Sequence, residues 1–418
     1  MNESIEIKNF GGIVYMSIEL NQFNLFIGPQ ASGKSITAKL LYYFKNFPSM
    51  LIKSAEDEDI KKDFDSKLIK RFEEFFPVHS WPLKDFNIRY QFDDLFIEIT
   101  KSSKTKIALN YSDFFNKELG RYRRNVIRLK EEDALKEEFE ISKRPFRLRE
   151  KFSSSLHNKY KTFGSSQFFI PAGRSFYANL QSSIFSFLSS NKAIDPFLIE
   201  FGSFYESIKG YDERRFNRKQ EKSNIQVNRL FESIMCGKYL RENDKDYLIH
   251  NDKRKINLSY ASSGQQETLP LALILRALEN VRFGNGGATI FIEEPEAHLF
   301  PLAQKIMIDF ISYIFNQSKS RLQFIITTHS PYILASLNNL MHAGTLLENL
   351  DESKKDELYN IVPQEMIIQP SLVKAYSLKN GKSESIICEE SQIIEQSILD
   401  SVSDIIAIQF DKLLDLQE

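Results

Sequence analysis

The chain has 418 residues, 42% hydrophobic and 27% charged, the balance of a soluble globular protein of two or three domains or of one domain with a large insertion. A net charge of −1 leaves any nucleic-acid binding to local patches, not to a global field. Two distant cysteines, Cys236 and Cys388, argue against a disulfide framework or a zinc site and fit a reducing cytosol. No apolar run approaches the ~20 residues of a membrane span. The acidic start, Met1-Asn2-Glu3-Ser4-Ile5-Glu6, lacks the basic-then-apolar order of a signal peptide. The expected location is cytoplasmic, with no membrane partner.

In chain order, the first chemical signal follows a short apolar strand, Phe23–Ile27. The octet Gly28-Pro29-Gln30-Ala31-Ser32-Gly33-Lys34-Ser35 matches G-x-x-x-x-G-K-[ST], the phosphate-binding loop of nucleotide triphosphatases. Its glycines let the backbone curl into a nest of inward N–H groups. Ile36, Leu40, Tyr43 and Phe44 then recur at helical spacing, so the positive end of a helix faces the same nest. Gly28, Gln30, Ala31, Ser32, Gly33, Lys34, Ser35 and Ile36 are the expected ATP contacts. Lys34 reaches the β- and γ-phosphates, and the Ser35 hydroxyl joins the Mg²⁺ shell.

A long charged stretch comes next. Ser54 to Lys70 reads as a charged helix, while Phe86 to Ile99 and Lys104 to Tyr111 alternate like paired strands. Asp113 to Lys161 reads as helical stretches broken near Pro145. It carries two basic clusters, Arg121, Arg123, Arg124, Arg128 and Lys130, then Lys143, Arg144, Arg147, Arg149 and Lys151. A third run is Arg214, Arg215, Arg218, Lys219 and Lys222. Acids interleave with all three, so each reads either as a solvated helix face or as an arm that contacts DNA or protein. No sustained heptad is present, which limits the segment to a short helical arm. The division that follows is a discontinuous head, 1–50 and 162–418, interrupted by a charged insertion, 51–161.

Three further motifs complete the pattern. Ser262-Ser263-Gly264-Gln265-Gln266 opens a helix over Leu269–Leu278, and its hydroxyls and glycine suit a second anion site. Pro270 is expected to kink that helix near its start. After a glycine-rich loop (Gly284, Gly286, Gly287), the apolar strand Thr289–Ile292 ends in Glu293 and Glu294. Paired acids at the end of a buried strand are how phosphate-loop folds hold Mg²⁺ and its water. Glu293 is the expected metal ligand and Glu294 the general base. The strand Gln323–Thr328 ends in His329, placed to hydrogen-bond the γ-phosphate and report its presence. Towards the tail, Leu378-Lys379-Asn380-Gly381-Lys382 signals a hairpin turn. Ile393, Ile394, Ile398, Val402, Ile405, Phe410, Leu413 and Leu414 form an apolar helical stripe that either packs on the head or receives a partner.

This succession resembles the ABC-type ATPases, and within them the RecF/SMC-like heads of the OLD family. Ile292-Glu293-Glu294-Pro295-Glu296-Ala297-His298-Leu299-Phe300-Pro301 is similar to that family's EEPEAHLHP motif. Phe169-Ile170-Pro171-Ala172-Gly173-Arg174-Ser175 is similar to its iPAeRS strand end, and Ile5–Phe10 to the first strand of such heads. Ser263 stands where general ABC signatures have their first glycine, and Glu293 where transporters and SMC heads have Asp; both are usual in OLD-like heads. Gly173 stands where the family often has Glu, which leaves Arg174 without an assigned role.

The resemblance implies an α/β ATPase head with mixed sheets around the phosphate-loop core, plus a helical and β insertion. It implies dimerisation head to tail, in which Ser262, Gly264 and Gln265 of one chain contact ATP bound to its partner, as a homodimer or higher homo-oligomer. Glu296 and His298 lie either at that dimer seam or in a structural turn. Full OLD nucleases carry a Toprim domain after this region; no Asp-x-Asp follows His329 here, and no HNH-like segment is present. A nuclease effector, Toprim- or HNH-type, is then a separate chain, as with stand-alone ATPases such as AriA of PARIS and PtuA of Septu. DNA or a phage protein would be the trigger of such an antiphage complex. The alternative is a RecF-like repair ATPase acting on DNA ends or gaps.

Overall fold

Strands β1 (Glu3–Phe10) and β2 (Ile13–Leu20) form a hairpin whose register brings Phe10 opposite Ile13. The computed structural model describes residues 2–81, 85–102, 107–133, 165–177, 195–217, 225–279, 287–318, 321–395 and 408–410. Ile5 and Ile7 of β1 are buried and Lys8 is exposed, the period-two pattern of a half-covered strand. By contrast β3 (Phe23–Ile27) is buried at every position, which suits a parallel strand covered on both faces. Helix α1 (Lys34–Lys45) leaves the phosphate loop directly after it.

The charged stretch begins with two helices, α2 (Phe47–Glu56) and α3 (Lys61–Phe75). The single helix expected over Ser54–Lys70 is therefore broken. Glu58 turns left-handed at φ 61°, and the Asp59 N–H returns to the Ser54 carbonyl at 2.9 Å, closing the chain into a turn. Strands β4 (Phe86–Phe92), β5 (Leu95–Lys101) and β6 (Ala108–Tyr111) follow, and β4 pairs antiparallel with β1. The segment expected as an insertion thus extends the sheet of the head. In α4 (Asp113–Asp133), Arg121 pairs with Glu118 at 2.6 Å, and Arg123 Nε donates to the Glu58 carbonyl at 2.7 Å. Lys130 pairs with Glu58. These three cations are engaged within the molecule, which favours the solvated-face reading of this cluster. The cluster from Lys143 to Lys151, Pro145, Arg218, Lys219 and Lys222 lie outside the described residues, as do the side chains of Arg214 and Arg215.

The remaining elements are β7 (Ser166–Ile170), α5 (Pro196–Asn217), α6 (Ile225–Met235), and the strands β8 (Lys238–Glu242), β9 (Lys245–Ile249) and β10 (Lys255–Asn257). Then come α7 (Ser263–Leu278), β11 (Ala288–Glu293), α8 (Pro301–Gln317), β12 (Leu322–Thr328), α9 (Pro331–Asn349), α10 (Glu352–Ile361), β13 (Val373–Lys379) and β14 (Lys382–Ser385). Helix α7 continues through Pro270 to Leu278. Asn380 and Gly381 turn β13 into β14 with φ of 53° and 70°, the expected hairpin turn. Ile393 and Ile394 are not helical; Ile394 bridges to Ile387. Phe410 is exposed, and Ile398, Val402, Ile405, Leu413 and Leu414 lie outside the described residues.

Among the described residues the main sheet has 11 strands in the order β6-β5-β4-β1-β2-β14-β13-β3-β12-β11-β7. From β13 to β7 every neighbouring pair is parallel. From β2 to β6 every pair is antiparallel. The fold is therefore mixed α/β. Alternate residues of the parallel strands serve two cores. Leu25, Ile290, Ile292, Phe324 and Ile326 pack with α7, α8 and α9, while Phe26, Phe291 and Ile325 pack with α1. Helix α1 is gripped from two directions: the Tyr42 ring lies 5.5 Å from that of Phe291, and Phe44 stacks on Tyr90 of β4 at 5.9 Å. A buried polar knot ties β1, β4 and β12 to the end of α1. Glu3 at the start of β1 pairs with Lys45 at the end of α1, and accepts from Tyr90 and from Gln323 of β12, each at 2.9 Å. The sheet thus presents the C-terminal ends of β3, β11 and β12 beside the start of α1.

Candidate functional site

The phosphate loop connects β3 to α1 under close constraint. A Cβ on Gly28 would lie 2.0 Å from the Leu378 carbonyl oxygen, so β13 closes on the loop and only glycine fits. Lys34 turns back across the loop. Its ammonium donates to the carbonyls of Gly28 (2.7 Å) and Pro29 (2.8 Å) and lies 3.3 Å from His329 Nδ1. Burial lowers the Lys34 pKa from its ordinary value, against the support of the Glu294 and Glu296 carboxylates.

Strand β11 delivers the two acids to different environments. Glu293 is buried; its Oε2 accepts from the Ala172 N–H at 3.3 Å, and its Oε1 is buried without a partner. Burial pushes the Glu293 pKa up, opposed by Lys39, the Ser35 hydroxyl and the Ala172 N–H. An unsatisfied buried carboxylate oxygen beside a serine hydroxyl fits a hard divalent cation such as Mg²⁺. Among the described residues no group of three or more His, Cys, Asp and Glu side chains could hold a metal unaided. An ion here would complete its shell with phosphate oxygens and water, the habit of Mg²⁺.

Glu294 leaves the strand in a left-handed conformation, φ 46°, with its N–H on the Thr327 carbonyl at 2.9 Å. That twist swings its side chain towards β12, where its Oε1 lies 3.0 Å from His329 Nε2. A lysine ammonium only donates, so His329 Nδ1 is the acceptor and Nε2 carries the proton given to Glu294. Lys34, His329 and Glu294 thereby form one hydrogen-bonded chain. Glu296 secures the middle member. Its Oε1 accepts from the His329 N–H (2.6 Å) and from the Thr328 hydroxyl (2.7 Å). Glu296 is thus turned inward, whereas His298, at φ 60°, is exposed.

Lys34, Glu294 and His329 share a cavity of about 320 Å³ lined also by Gly11, Gln30, Ala31, Ser32, Gly33, Ser35 and Ile36. Gly11 belongs to the β1–β2 turn, and nothing local in its sequence ties it to the loop. Ser262, Ser263, Gly264 and Gln265 do not line this cavity. Ser262 caps α7, its Oγ accepting from the Gln265 N–H at 3.3 Å, and Gln265 Nε2 donates to the Met235 carbonyl at 2.9 Å. Ser262 and Ser263 are exposed. A Cβ on Gly264 would fall 2.8 Å from the His298 carbonyl oxygen, so this motif is wedged against the turn after the acids. The structure therefore separates two segments, one lining a cavity with the loop, Glu294 and His329, the other facing outward.

No curated protein matches the chain. Similar solved structures include an Smc head bound to the C-winged helix domain of ScpA, with 12% identity over 92% of this chain and 96% of that one and a TM-score of 0.39. Another is the SMC head domain from Thermotoga maritima, with 11% identity over 93% and 99% and a TM-score of 0.37. A third is an Smc head domain with an extended coiled coil, bound to the C-terminal domain of ScpA derived from Pyrococcus furiosus, with 14% identity over 92% and 95% and a TM-score of 0.39. With the phosphate loop, Glu294 and His329 in one cavity, and with family matches over residues 1–192 and 169–334, the chain belongs to the AAA ATPase domain family.

Proposed function

We propose that the chain is an ATP-binding and ATP-hydrolysing switch whose site is completed by a second copy of itself. The observation that carries this is the separation of the two half-sites. One cavity gathers the phosphate nest, Glu294 and His329, while the capped start of α7 faces solvent outside it. ATP phosphates accept from the N–H groups of the loop, and Lys34 exchanges the carbonyls of Gly28 and Pro29 for phosphate oxygens. Ser35 and Glu293 would hold Mg²⁺, which neutralises phosphate charge. Glu294 takes the proton of the attacking water. His329 turns its Nε2–H from Glu294 to the γ-phosphate, which leaves Glu294 free to act as the base. Ser262, Gly264 and Gln265 of the partner close the open side, so that ATP joins two copies and hydrolysis parts them. The OLD-like motifs support a setting for this switch: an antiphage complex in which it restrains or releases a nuclease carried on a separate chain.

Two variants test the chemistry. Lys34→Ala should weaken ATP binding at least ~100-fold, having lost the charged phosphate ligand. Glu294→Gln should bind ATP normally, hydrolyse it ~10²–10⁴-fold more slowly, and accumulate as an ATP-bound dimer in light scattering. Hydrolysis by Glu294→Gln at the parent rate would remove Glu294 as the base. Co-purification with a nuclease encoded beside the gene supports the defence setting. Salt-sensitive DNA binding by the isolated protein, without such a partner, replaces it with DNA repair.

A further inference from the structure

The five residues after β7, Pro171-Ala172-Gly173-Arg174-Ser175, touch both half-sites. Arg174 is fully buried, the largest such side chain among the described residues. Its fork grips the end of the acid strand: Nη1 donates to the Glu293 carbonyl at 2.7 Å and Nη2 to the Glu294 carbonyl at 3.0 Å. The Ala172 N–H meanwhile reaches the Glu293 carboxylate. On its other side Arg174 is bound to α7. Its Nε donates to the Glu267 backbone carbonyl at 3.0 Å. The Glu267 carboxylate accepts from the backbone N–H groups of Arg174 and Ser175, each at 2.8 Å. Glu267 lies in the second turn of the helix that Ser262 caps.

We propose that Arg174 and Glu267 are a positioning pair, a rigid crossbar that transmits movement of the Ser262–Gln265 helix start to the acids Glu293 and Glu294. This rests on the ATPase switch proposed above and supplies its regulation. Neither residue lines the nucleotide cavity, so neither is catalytic. A planar guanidinium with its donors in a fixed fork spans four backbone carbonyls at once, those of Pro171, Glu267, Glu293 and Glu294; a lysine ammonium cannot. The left-handed backbone that aims Glu294 at His329 depends on that grip, because the Glu294 carbonyl is held by Arg174 and by the Ala297 N–H. When a partner seats on Ser262 and Gly264, α7 shifts and carries Glu267, Arg174 and the Glu294 turn with it. The base is then set only when the second copy is in place.

The test uses the full chain with Arg174→Lys and, separately, Glu267→Gln, which keeps shape but meets a backbone N–H with an amide. Hydrogen exchange in nucleotide-free protein should rise ~10-fold or more at both 293–297 and 262–267 in Arg174→Lys. Exchange in β1 should stay unchanged. ATP affinity should remain within about threefold while kcat falls ~10-fold or more, a split that general loosening would not give. If Arg174→Lys does not fold, the same readouts in Glu267→Gln decide. A rise confined to 171–175, or a kcat within about twofold of the parent in a folded variant, overturns the proposal. Linked exchange in a parent that does not hydrolyse ATP would overturn the ATPase reading and leave the crossbar standing.

Discussion

At the scale of single residues, Gly28 shows how one position serves two demands. The phosphate-loop pattern asks for glycine so that the backbone can curl around an anion. The fold asks for it again, because the Leu378 carbonyl of β13 occupies the space a side chain would need. Carbonyl oxygens in a sheet cannot step aside as a flexible side chain can. Gly28→Ala should therefore destabilise the protein itself, by about 3 kcal/mol or more, even without nucleotide. Gly12→Ala is the comparison. It also has a positive φ, 81°, but meets nothing within 4 Å, so it should lose only about 1 kcal/mol. Urea unfolding of both variants without nucleotide measures the difference; equal midpoints would show that β13 does not press on the loop. Lys34, Glu294 and His329 illustrate the complementary point. Each is placed by its own strand end, but their hydrogen-bonded chain exists only because β3, β11 and β12 are parallel neighbours.

At the scale of elements, local pattern was informative wherever one short segment carries its own reason. Phe23–Ile27 is buried throughout because it is a central parallel strand, and Asn380-Gly381 turns because both residues accept positive φ. Where the reason lies elsewhere in the chain, the pattern was silent or misleading. Charge and periodicity run on from Ser54 to Lys70, yet Glu58 and Asp59 turn the chain between two helices. The strands β4 to β6 read as part of an insertion, but their partner is β1, which no local signal reveals. Arg174 had no assignable role because its ligands are Glu267, Glu293 and Glu294, 93, 119 and 120 residues away. That pair has a pH signature. Burial alone raises the Glu267 pKa, but Arg174 and the N–H groups of Ser175 and Arg174 outweigh it, and the net value lies below the ordinary 4.5. Between those two values the unfolded chain binds the extra proton. The stabilisation is thus complete above pH 4.5 and is lost as pH falls through the depressed folded value. Urea midpoints across the acid range should show Glu267→Gln well below the parent near neutrality, with the gap closing under acid. A gap that stays constant with pH would show that Glu267 is not held ionised by Arg174.

For the whole molecule, the proposed switch requires that neither half-site do chemistry alone. Ser262–Gln265 is wedged against the His298 turn and does not line the phosphate-loop cavity, so on the proposed reading a single copy offers ATP only one wall. If two identical copies supply both walls by two-fold symmetry, each dimer contains two composite sites built from unlike halves. That arithmetic separates action between copies from action within one. Lys34→Ala ruins the loop half and leaves the Ser262 half intact. Ser262→Arg fills the outward half with a bulky cation and leaves the loop intact. Each variant alone has no whole site and should be inactive. In an equal mixture half the dimers are mixed, and each mixed dimer contains one site with both halves intact and one with both ruined. The mixture should therefore recover about a quarter of the parent ATPase rate when the two sites fire independently. It should recover none when both must fire together, in which case the mixed dimer still forms and traps one ATP. Steady-state hydrolysis and nucleotide stoichiometry, measured across mixing ratios, distinguish these. Full activity of Ser262→Arg by itself would mean that one copy closes its own site, and the two-copy switch would have to be abandoned.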